Sequence, residues 1–257
     1  MNRLRNWVAS RKAIEIVEED GLRVLQIGGK AIQSAMRLDA PGAIELDYVR
    51  AMMAFLLFCP EPRDILMVGL GGGSMARFVH ERMPGAHVTV VEINPGVVTV
   101  ARKYFGFPDE DERLAIVIGE GAAAVADRPG SCDVLVVDGF VNGKVASSLC
   151  TPAFYEAAFT ALRPQGVMVA NFMADDGKLE RHCARIEKAF GRPPVLLLAK
   201  EQDNLIAFAF RGGPSRFAWA QLRARARQAK ARFGLRLEES VTSLKDRNSG
   251  TARYLEP

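Results

Sequence analysis

A glycine-rich turn lies between an apolar run and a helix-like segment in the first third of the chain. Gly69, Gly71 and Gly73 follow "ILMV" in "ILMVGLGGGSMARF", and the helix-like segment begins at Ser74. Glycines let the backbone approach a ligand closely, and the following helix points its N-terminus at whatever lies in the turn. The turn does not fit the G-x-G-x-x-G dinucleotide fingerprint, because Ser74 stands where the third glycine is required.

Carboxylates follow the next three strand-like runs. Glu92 ends "HVTVVE", about twenty residues after the turn, where an acidic side chain accepts hydrogen bonds from two ribose hydroxyls. A second interpretation of Glu92 is a cap of the helix that begins at Pro95. Glu120 and Gly121, in "GEGAA", can receive an adenine amino group and let the base lie close. Asp138 ends "DVLVVD", where a carboxylate can accept a proton or hold a cation.

These residues favour one nucleoside over a dinucleotide. The glycine spacing does not favour room for a pyrophosphate and a second nucleoside. An adenosine that carries a sulfonium fits better, and both S-adenosylmethionine methyltransferases and aminopropyltransferases build sites of this kind. Asp133, at the start of the same strand as Asp138, is interpreted as a turn residue.

The elements that must position these residues alternate between short buried strands and amphipathic helices. Continuous Val/Ile/Leu runs separated by helices indicate a parallel sheet covered on both faces. We therefore predict an α/β domain with a doubly wound, mostly parallel seven-stranded sheet, a Rossmann-like fold of the class I methyltransferase kind, with ligands at the carboxyl ends of the strands. The predicted strands are "ILMVG", "HVTVVE", "LAIVIG", "DVLVVDGF", "GVMVANF", "PVLLLA" and "NLIAFAF", and the predicted helices are 74–83, 95–105, 121–127, 152–163 and 177–190.

The rest of the chain divides into two smaller parts. Short β-like runs over 12–38, punctuated by glycines, predict an antiparallel hairpin unit, and "IELDYVRAMMAFLLF" predicts a helix with one apolar face. The predicted domains are a small N-terminal hairpin and helix unit at 1–60, a Rossmann-like nucleoside-binding catalytic domain at 61–235 and a C-terminal tail at 236–257. The tail is polar from Glu239 onward and is expected to be poorly ordered.

The composition of the chain limits the other classes of function that the protein could have. The 257 residues carry a net charge of +4, and the excess lies mostly in "RFAWAQLRARARQAKARFGLRL". This run predicts an amphipathic helix with a solvated face, which is favoured over a nucleic-acid interface. No long apolar run indicates a signal peptide or a membrane span, so the prediction is a cytoplasmic protein. The spacing of the cysteines and histidines indicates reduced thiols and no metal site; they are Cys59, Cys132, Cys150, Cys183, His80, His87 and His182.

The motifs together resemble one family. The segments "ILMVGLGGGS", "VTVVEINPGVVTVARKYF", "VIGEGAAAV" and "CDVLVVDGF" are similar to the core of the spermidine synthases, the polyamine aminopropyltransferases. The family's corresponding motifs read GGGDGG, VEIDP, GDGA and D-[ST]-x-D-P. Similar segments also include "LQIGGKAIQSAMRLD" and "TPAFYEAAFTALRPQGVMVAN", so the resemblance covers roughly residues 20–210.

The resemblance implies a donor site and a catalytic residue. Asp138 matches the aspartate that takes a proton from an attacking amine, while methylthioadenosine leaves the sulfonium donor. The donor is S-adenosylmethionine or its decarboxylated form, and no metal is implied. The positions that the resemblance assigns to the nucleoside are Gln33, Gly69, Gly71, Gly73, Glu92, Ile93, Glu120 and Gly121.

The departures from the family lie in the half of the site that holds amines. The family aspartate of the glycine motif is Gly72 here, the second aspartate of D-x-x-D is Val141, and the family's Y-H-E is Tyr48, Val49 and Arg50. The substrate positions carried over are Tyr48, Arg50, Gly72 and Gly139. A dication in a partly dry groove needs several carboxylates, because an uncompensated buried charge is costly. The acceptor is therefore not expected to be ordinary putrescine. Arg50 is interpreted in two ways: it binds an anionic group of a ligand, or it is a surface charge on its helix.

Three functions remain open at this point. The leading prediction is a spermidine-synthase-like transferase that uses an adenosyl sulfonium donor and a small-molecule acceptor. The alternatives are an S-adenosylmethionine-dependent methyltransferase and a non-catalytic homologue that binds a nucleoside. The resemblance also implies a homodimer, in which the hairpin unit and the apolar run 51–58 form the contact surface. No membrane or nucleic-acid partner is predicted.

Overall fold

The N-terminal part of the chain forms a three-stranded antiparallel sheet. The computed structural model describes residues 14–27, 32–141, 143–199 and 203–256. The strands are β1 (Ile14–Glu19), β2 (Leu22–Ile27) and β3 (Ile32–Arg37), in the order β1-β2-β3. Asp20 and Gly21 join the first two strands with positive φ angles of 50° and 75°, as a two-residue hairpin requires. This confirms the predicted hairpin unit over the described residues.

The segment after this sheet is a short helix buried nearly all round. Helix α1 (Asp47–Met52) continues as a 3₁₀ turn over Met53–Leu57, and residues 51–57 are at most 5% exposed. The prediction of a helix with a single apolar face was therefore wrong. Assigning the run 51–58 to a dimer surface was also wrong, because nearly all of it packs in the core of its own chain. The homodimer itself stays a prediction.

The central sheet has seven strands in the order β11-β12-β10-β7-β4-β5-β6. Strand β12 is antiparallel to both neighbours, and every other neighbouring pair is parallel. This confirms the predicted mostly parallel, doubly wound sheet. The strands are β4 (Asp64–Val68), β5 (His87–Glu92), β6 (Leu114–Ile118), β7 (Cys132–Val137), then the short hairpin β8 (Phe140–Val141) and β9 (Lys144–Val145), then β10 (Leu162–Met173), β11 (Val195–Ala199) and β12 (Asn204–Phe210).

Helices cover both faces of this sheet. Alternate residues of each strand join two different cores: Ile65 and Met67 pack on one face, Leu66 and Val68 on the other. Helices α1, α2 and α7 contribute to the first core, and α4, α5 and α6 to the second. The helices after α1 are α2 (Ser74–Arg82), α3 (Pro95–Phe105), α4 (Gly121–Ala126), α5 (Pro152–Ala161), α6 (Leu179–Phe190), α7 (Trp219–Phe233) and α8 (Glu238–Arg247).

The C-terminal residues are an ordered part of the core. Helix α7 buries Trp219 and Leu222 and exposes most of its cations, which confirms the predicted amphipathic helix. Helix α8 then buries Val241 and Leu244, and a strand pair, β13 (Phe217–Ala218) and β14 (Tyr254–Leu255), closes the chain. The expectation of a poorly ordered tail was wrong, because these widely spaced apolar side chains reach the core. The division at 60 and 235 stays a prediction.

Two further observations concern the described residues as a whole. Across the described part of the chain, no helix combines the length and the apolar character needed to cross a membrane. Within the same residues, no group of three or more His, Cys, Asp or Glu side chains is placed to hold a metal ion.

Candidate active site

The turn after β4 brings the ends of three strands together. Gly69 has a φ of 97°, and its N–H donates to Val91 O at 2.9 Å. The N–H of Asp138 donates to Val68 O at 2.9 Å, so the backbone after β7 lies directly against the turn. A Cβ on Gly69 would overlap the carbonyl of Asp138. The turn therefore requires a glycine here for both its conformation and its contact.

Glu92 ties this turn to the end of β5. Its Oε2 accepts a hydrogen bond from Leu70 N at 3.0 Å, and its Oε1 accepts one from Asn94 N at 2.8 Å. The residue is only 7% exposed, and burial raises its pKa against the opposing effect of these hydrogen bonds. The interpretation of Glu92 as a helix cap was wrong, because Asn94 Oδ1 caps α3 by accepting from Gly96 N at 2.9 Å. Each carboxylate oxygen keeps a lone pair for a ligand.

Glu120 is the N-terminal cap of α4. Its Oε2 accepts from Ala123 N at 2.8 Å, and its Oε1 accepts from Ser148 Oγ at 2.7 Å. Burial raises the pKa of this carboxyl, but the hydrogen bonds from Ala123 and Ser148 outweigh burial and leave the pKa below its usual value. Glu120 is thus an ionised, exposed side chain that links α4 to the 3₁₀ turn Ser147–Cys150.

Asp138 stands just beyond the carboxyl end of β7 and is the most perturbed carboxyl of the site. Its Oδ1 accepts a hydrogen bond from Asn171 Nδ2 at 2.8 Å. Burial raises the pKa of Asp138 from 3.8 to about 6, and the hydrogen bond from Asn171 opposes this rise. A carboxyl with such a pKa is ionised at neutral pH and lies close to the range suited to a general base.

Two buried carboxamides that the sequence analysis missed stand behind Asp138. Asn171 and Asn204 are 3% and 6% exposed, and Asn204 Nδ2 donates to Asn171 Oδ1 at 2.9 Å. The available signal was a polar residue inside the apolar run "GVMVANF" and another at the start of "NLIAFAF". The large majority of buried polar side chains in folded proteins are hydrogen-bonded, so an asparagine in such a run indicates a hydrogen-bond partner nearby.

Tyr48 and Gln33 bring the N-terminal part of the chain to the same place. The hydroxyl of Tyr48 donates to the backbone carbonyl of Gln33 at 3.1 Å. Burial raises the pKa of this phenol well above its usual value, and the negative charge of Asp138 adds to the rise. Tyr48 is therefore a neutral hydrogen-bonding group next to the general-base candidate.

A cavity of about 1200 Å³ runs along the carboxyl ends of the strands and joins most of the predicted residues. The predicted residues that line it are Gln33, Tyr48, Gly69, Gly71, Glu92, Ile93, Glu120, Gly121, Asp138 and Gly139. The described residues of its wall carry the carboxylates of Glu92, Glu120 and Asp138 and no lysine or arginine. This wall suits a ligand with positive charge and an apolar body.

Three predicted residues lie away from this wall. Arg50 donates to Ile44 O at 3.0 Å and Glu45 O at 2.6 Å, just before its own helix, and lies 3.7 Å from Asp47 in the first turn of that helix. Gly72 faces Ser34 and Phe105 rather than the cavity. Gly73 has a φ of 77° at the start of α2, where the ring of Phe107 fills the place of a side chain. The structure does not bring these three together with the other site residues.

The strand order and the single antiparallel strand define a class I methyltransferase-like fold, with the cavity at the carboxyl ends of the strands. A probable spermidine synthase from Corynebacterium glutamicum superposes with a TM-score of 0.73 at 20% identity, covering 95% of both chains. A spermidine synthase in complex with the transition-state analogue AdoDATO superposes with a TM-score of 0.65 at 22% identity, covering 91% of this chain and 85% of the other. At these identities the likeness concerns the fold alone.

Sequence relatives define the family. The model of the spermine/spermidine synthase domain matches residues 45–189. A polyamine aminopropyltransferase of Chromobacterium violaceum is 41% identical over 253 residues, which cover 98% of this chain and 97% of that protein. An eEF1A lysine and N-terminal methyltransferase of Xenopus laevis is 30% identical over 209 residues, covering 73% of this chain but 29% of that protein. The chain belongs to the spermine/spermidine synthase family.

Proposed function

We propose that the protein transfers an aminopropyl group from decarboxylated S-adenosylmethionine to an amine other than putrescine. The observation that carries this proposal is Asp138. Its carboxyl lies at the end of β7, lines the cavity and has a pKa raised to about 6 by burial. Membership of the spermine/spermidine synthase family supports the same reaction type.

The donor would occupy the part of the cavity bounded by the glycine turn, Glu92 and Glu120. Glu92 has lone pairs left for ribose hydroxyls, because each of its oxygens accepts one backbone hydrogen bond. Ile93 lines the same region and is 67% exposed, so it offers an apolar surface to a base. Gly121 has no side chain that would stand between the adenine base and Val68. A methyl group of Val68 occupies the position where a Cβ on residue 121 would lie.

The proposed reaction is a displacement at carbon. The amine nitrogen forms a bond to the carbon next to the sulfonium, the carbon–sulfur bond breaks, and its electron pair goes to sulfur. Methylthioadenosine leaves as a neutral thioether. The Asp138 carboxylate accepts the proton that the amine loses. Holding the nitrogen and the sulfonium in line supplies most of the remaining acceleration.

The acceptor half of the cavity supports an acceptor other than putrescine. Among the described residues lining that half, Asp138 is the carboxylate, and its neighbours are the neutral groups Tyr48, Asn171 and Asn204. Val141, at the position of the family's second aspartate, is 48% exposed and lines the cavity. An amine with one charged nitrogen and an apolar remainder matches this surface better than a diamine, which needs a second carboxylate.

A methyltransferase is the second candidate. The observation that favours it is the Xenopus laevis relative, a lysine and N-terminal methyltransferase similar over 73% of this chain. The reaction would use S-adenosylmethionine itself and leave S-adenosylhomocysteine. The loss of family carboxylates is consistent with a donor that keeps its own carboxylate.

The experiment incubates the protein with each donor and a panel of mono- and diamines and measures nucleoside products by mass spectrometry. The matched variants are Asp138→Asn and Asp133→Asn, at opposite ends of one strand. Asp133 Oδ2 accepts from Arg63 N at 2.8 Å and serves the sheet instead of the cavity. Methylthioadenosine that is formed by the wild type and Asp133→Asn, but not by Asp138→Asn, supports the proposal.

Other outcomes decide between the alternatives. S-adenosylhomocysteine as the product establishes the methyltransferase. A thermal shift with methylthioadenosine, without turnover of either donor, establishes a non-catalytic nucleoside-binding homologue. The absence of both turnover and thermal shift contradicts all three functions.

A further inference from the structure

We propose that Asn204 is a positioning residue that holds the Asn171 carboxamide with its N–H group towards Asp138. The chain of hydrogen bonds runs from Asn204 Nδ2 to Asn171 Oδ1 at 2.9 Å and from Asn171 Nδ2 to Asp138 Oδ1 at 2.8 Å. The inference rests on the proposed function only in that Asp138 serves as the base. Asn204 acts through Asn171, because its Nδ2 donates to Asn171 Oδ1, and to Met173 Sδ at 3.7 Å, whereas the carboxamide that donates to Asp138 is that of Asn171.

The sheet register makes the three residues neighbours on adjacent strands. In the antiparallel pair β10–β12, Asn204 stands opposite Met173, two residues beyond Asn171. Residues two apart on a strand face the same side, so Asn171 and Asn204 are diagonal neighbours. In the parallel pair β7–β10, Val137 stands opposite Ala170, so Asp138 and Asn171 are the next residues on adjacent strands. Three neighbouring strands thus supply one residue each.

The oxygen and the NH₂ group of a carboxamide have nearly the same shape, so the hydrogen-bond partners decide which way each of them points. Asn171 is 3% exposed, so bulk water does not compete for its oxygen. The N–H of Asn204 fixes that oxygen away from Asp138 and leaves the Asn171 N–H as the group facing the carboxylate. Without this donor, the Asn171 side chain can turn its oxygen, which carries a partial negative charge, towards the carboxylate of Asp138, and this raises the energy of the ionised carboxylate.

The groups that face Asp138 from each neighbouring element are few. Tyr48 on α1 is a titratable side chain that interacts electrostatically with Asp138. Strands β10 and β12 contribute the two neutral carboxamides, and the turn at Gly69 contributes backbone. Glu92 and Glu120 lie along the same cavity wall. Since the phenol of Tyr48 stays neutral, the Asn171 N–H is the neighbouring donor that favours the ionised form of Asp138.

The test replaces Asn204 with leucine, which has a similar shape and no hydrogen-bond donor. The titration of Asp138 is followed by its carboxyl ¹³C signal in aspartate-labelled protein, assigned by its loss in Asp138→Asn. We expect Asn204→Leu to raise the Asp138 titration midpoint by about one pH unit, because a hydrogen bond to the charged form is lost. The acid limb of kcat/KM should move upward by the same amount, with kcat falling more than KM changes.

Two further variants separate positioning from packing. Asn204→Gln keeps a carboxamide donor and should shift the midpoint less than Asn204→Leu. Asn248→Leu is the matched control: Asn248 Nδ2 donates to Leu196 O and Leu244 O at 2.7 Å, away from the cavity. This control should lower thermal stability without moving the titration. If Asn204→Leu does not fold, Asn204→Ala takes its place in the same measurement.

The outcomes distinguish this inference from the proposed function. An unchanged Asp138 midpoint in Asn204→Leu overturns the positioning role, and so does an equal shift in Asn248→Leu. A raised midpoint in a protein whose wild type turns over neither donor supports the positioning role and contradicts the proposed function instead.

Discussion

The side chain of Ser34 fills the space that a side chain on Gly72 would need. A Cβ placed on Gly72 would lie 2.5 Å from Ser34 Oγ and 3.0 Å from Phe105 Cδ1. Ser34 belongs to β3 and is 4% exposed, and Phe105 ends α3 and is 2% exposed. The absence of the family aspartate is therefore linked to how the N-terminal sheet packs against the glycine turn. Restoring the acid requires a change on two elements.

Gly72→Asp should lower the free energy of unfolding by about 1–3 kcal/mol, because the new side chain overpacks a closed contact. In a Ser34→Gly background the same substitution should cost at least about 1 kcal/mol less, since the Ser34 atoms are gone. A double-mutant cycle in urea measures this coupling. Gly85→Asp is the control, because nothing lies within 4 Å of its Cβ position. An equal loss in both Ser34 backgrounds would contradict the packing explanation.

Asp138→Asn should make the protein more stable at neutral pH while removing the proposed general base. Burial raises the pKa of Asp138 from 3.8 to about 6. At a pH between these two values, the carboxyl is mostly protonated in the folded state and mostly ionised in the unfolded chain. The contribution of Asp138 to the stability of the wild type is therefore fully present below pH 3.8 and is lost as the pH rises through about 6.

The asparagine has no such dependence. We expect the difference in unfolding free energy between Asp138→Asn and wild type to grow between pH 4 and 6 and to reach up to about 3 kcal/mol above that range. Urea unfolding at a series of pH values measures this difference, and acid effects of other groups cancel in it. A difference that is constant with pH would show that the carboxyl titrates alike in both states.

Glu92→Gln should weaken nucleoside binding at least about tenfold. The two oxygens of Glu92 accept from Leu70 N and Asn94 N, and a carboxamide replaces one of these acceptors with a donor that faces an N–H group. The turn and the strand end then separate, and a ligand loses an ionised acceptor. Isothermal titration with methylthioadenosine measures the change, with Glu239→Gln on the exposed part of α8 as the control. Unchanged affinity in Glu92→Gln would remove this residue from the nucleoside site.

The sequence predicts the strands better than the contacts between them. The runs "HVTVVE" and "NLIAFAF" are the whole of β5 and β12. Strand β12 is buried along its whole length, and such strands are nearly continuous apolar segments. The predicted helix 152–163 ends instead at Ala161, since β10 begins at Leu162 and carries an irregularity before Val167. Such a register shift depends on the neighbouring strand and leaves no local pattern.

The same distinction applies to the site. Topology alone places Gly69, Glu92 and Asp138 together, because parallel strands end at one edge of the sheet. The surroundings of Gly72 depend on side chains from β3 and α3, and those of Arg50 on backbone carbonyls before α1, which no spacing in the sequence reveals. The order of α8 likewise depends on burying Val241 and Leu244 against distant elements.

Gly69→Ala should lower the stability of the protein and displace Asp138, the proposed general base. The φ of 97° strains any residue with a side chain, and the new Cβ overlaps the carbonyl of Asp138. Strain and overlap together should lower the unfolding free energy by about 3 kcal/mol. Because the backbone of Asp138 must move away, turnover should fall even at temperatures where the variant is folded. Gly85→Ala, in an open and exposed turn, should change stability by less than about 0.5 kcal/mol. Urea unfolding and product formation, measured side by side, check both effects. A Gly69→Ala variant with wild-type stability and turnover would show that the close approach of the turn to Asp138 is not needed.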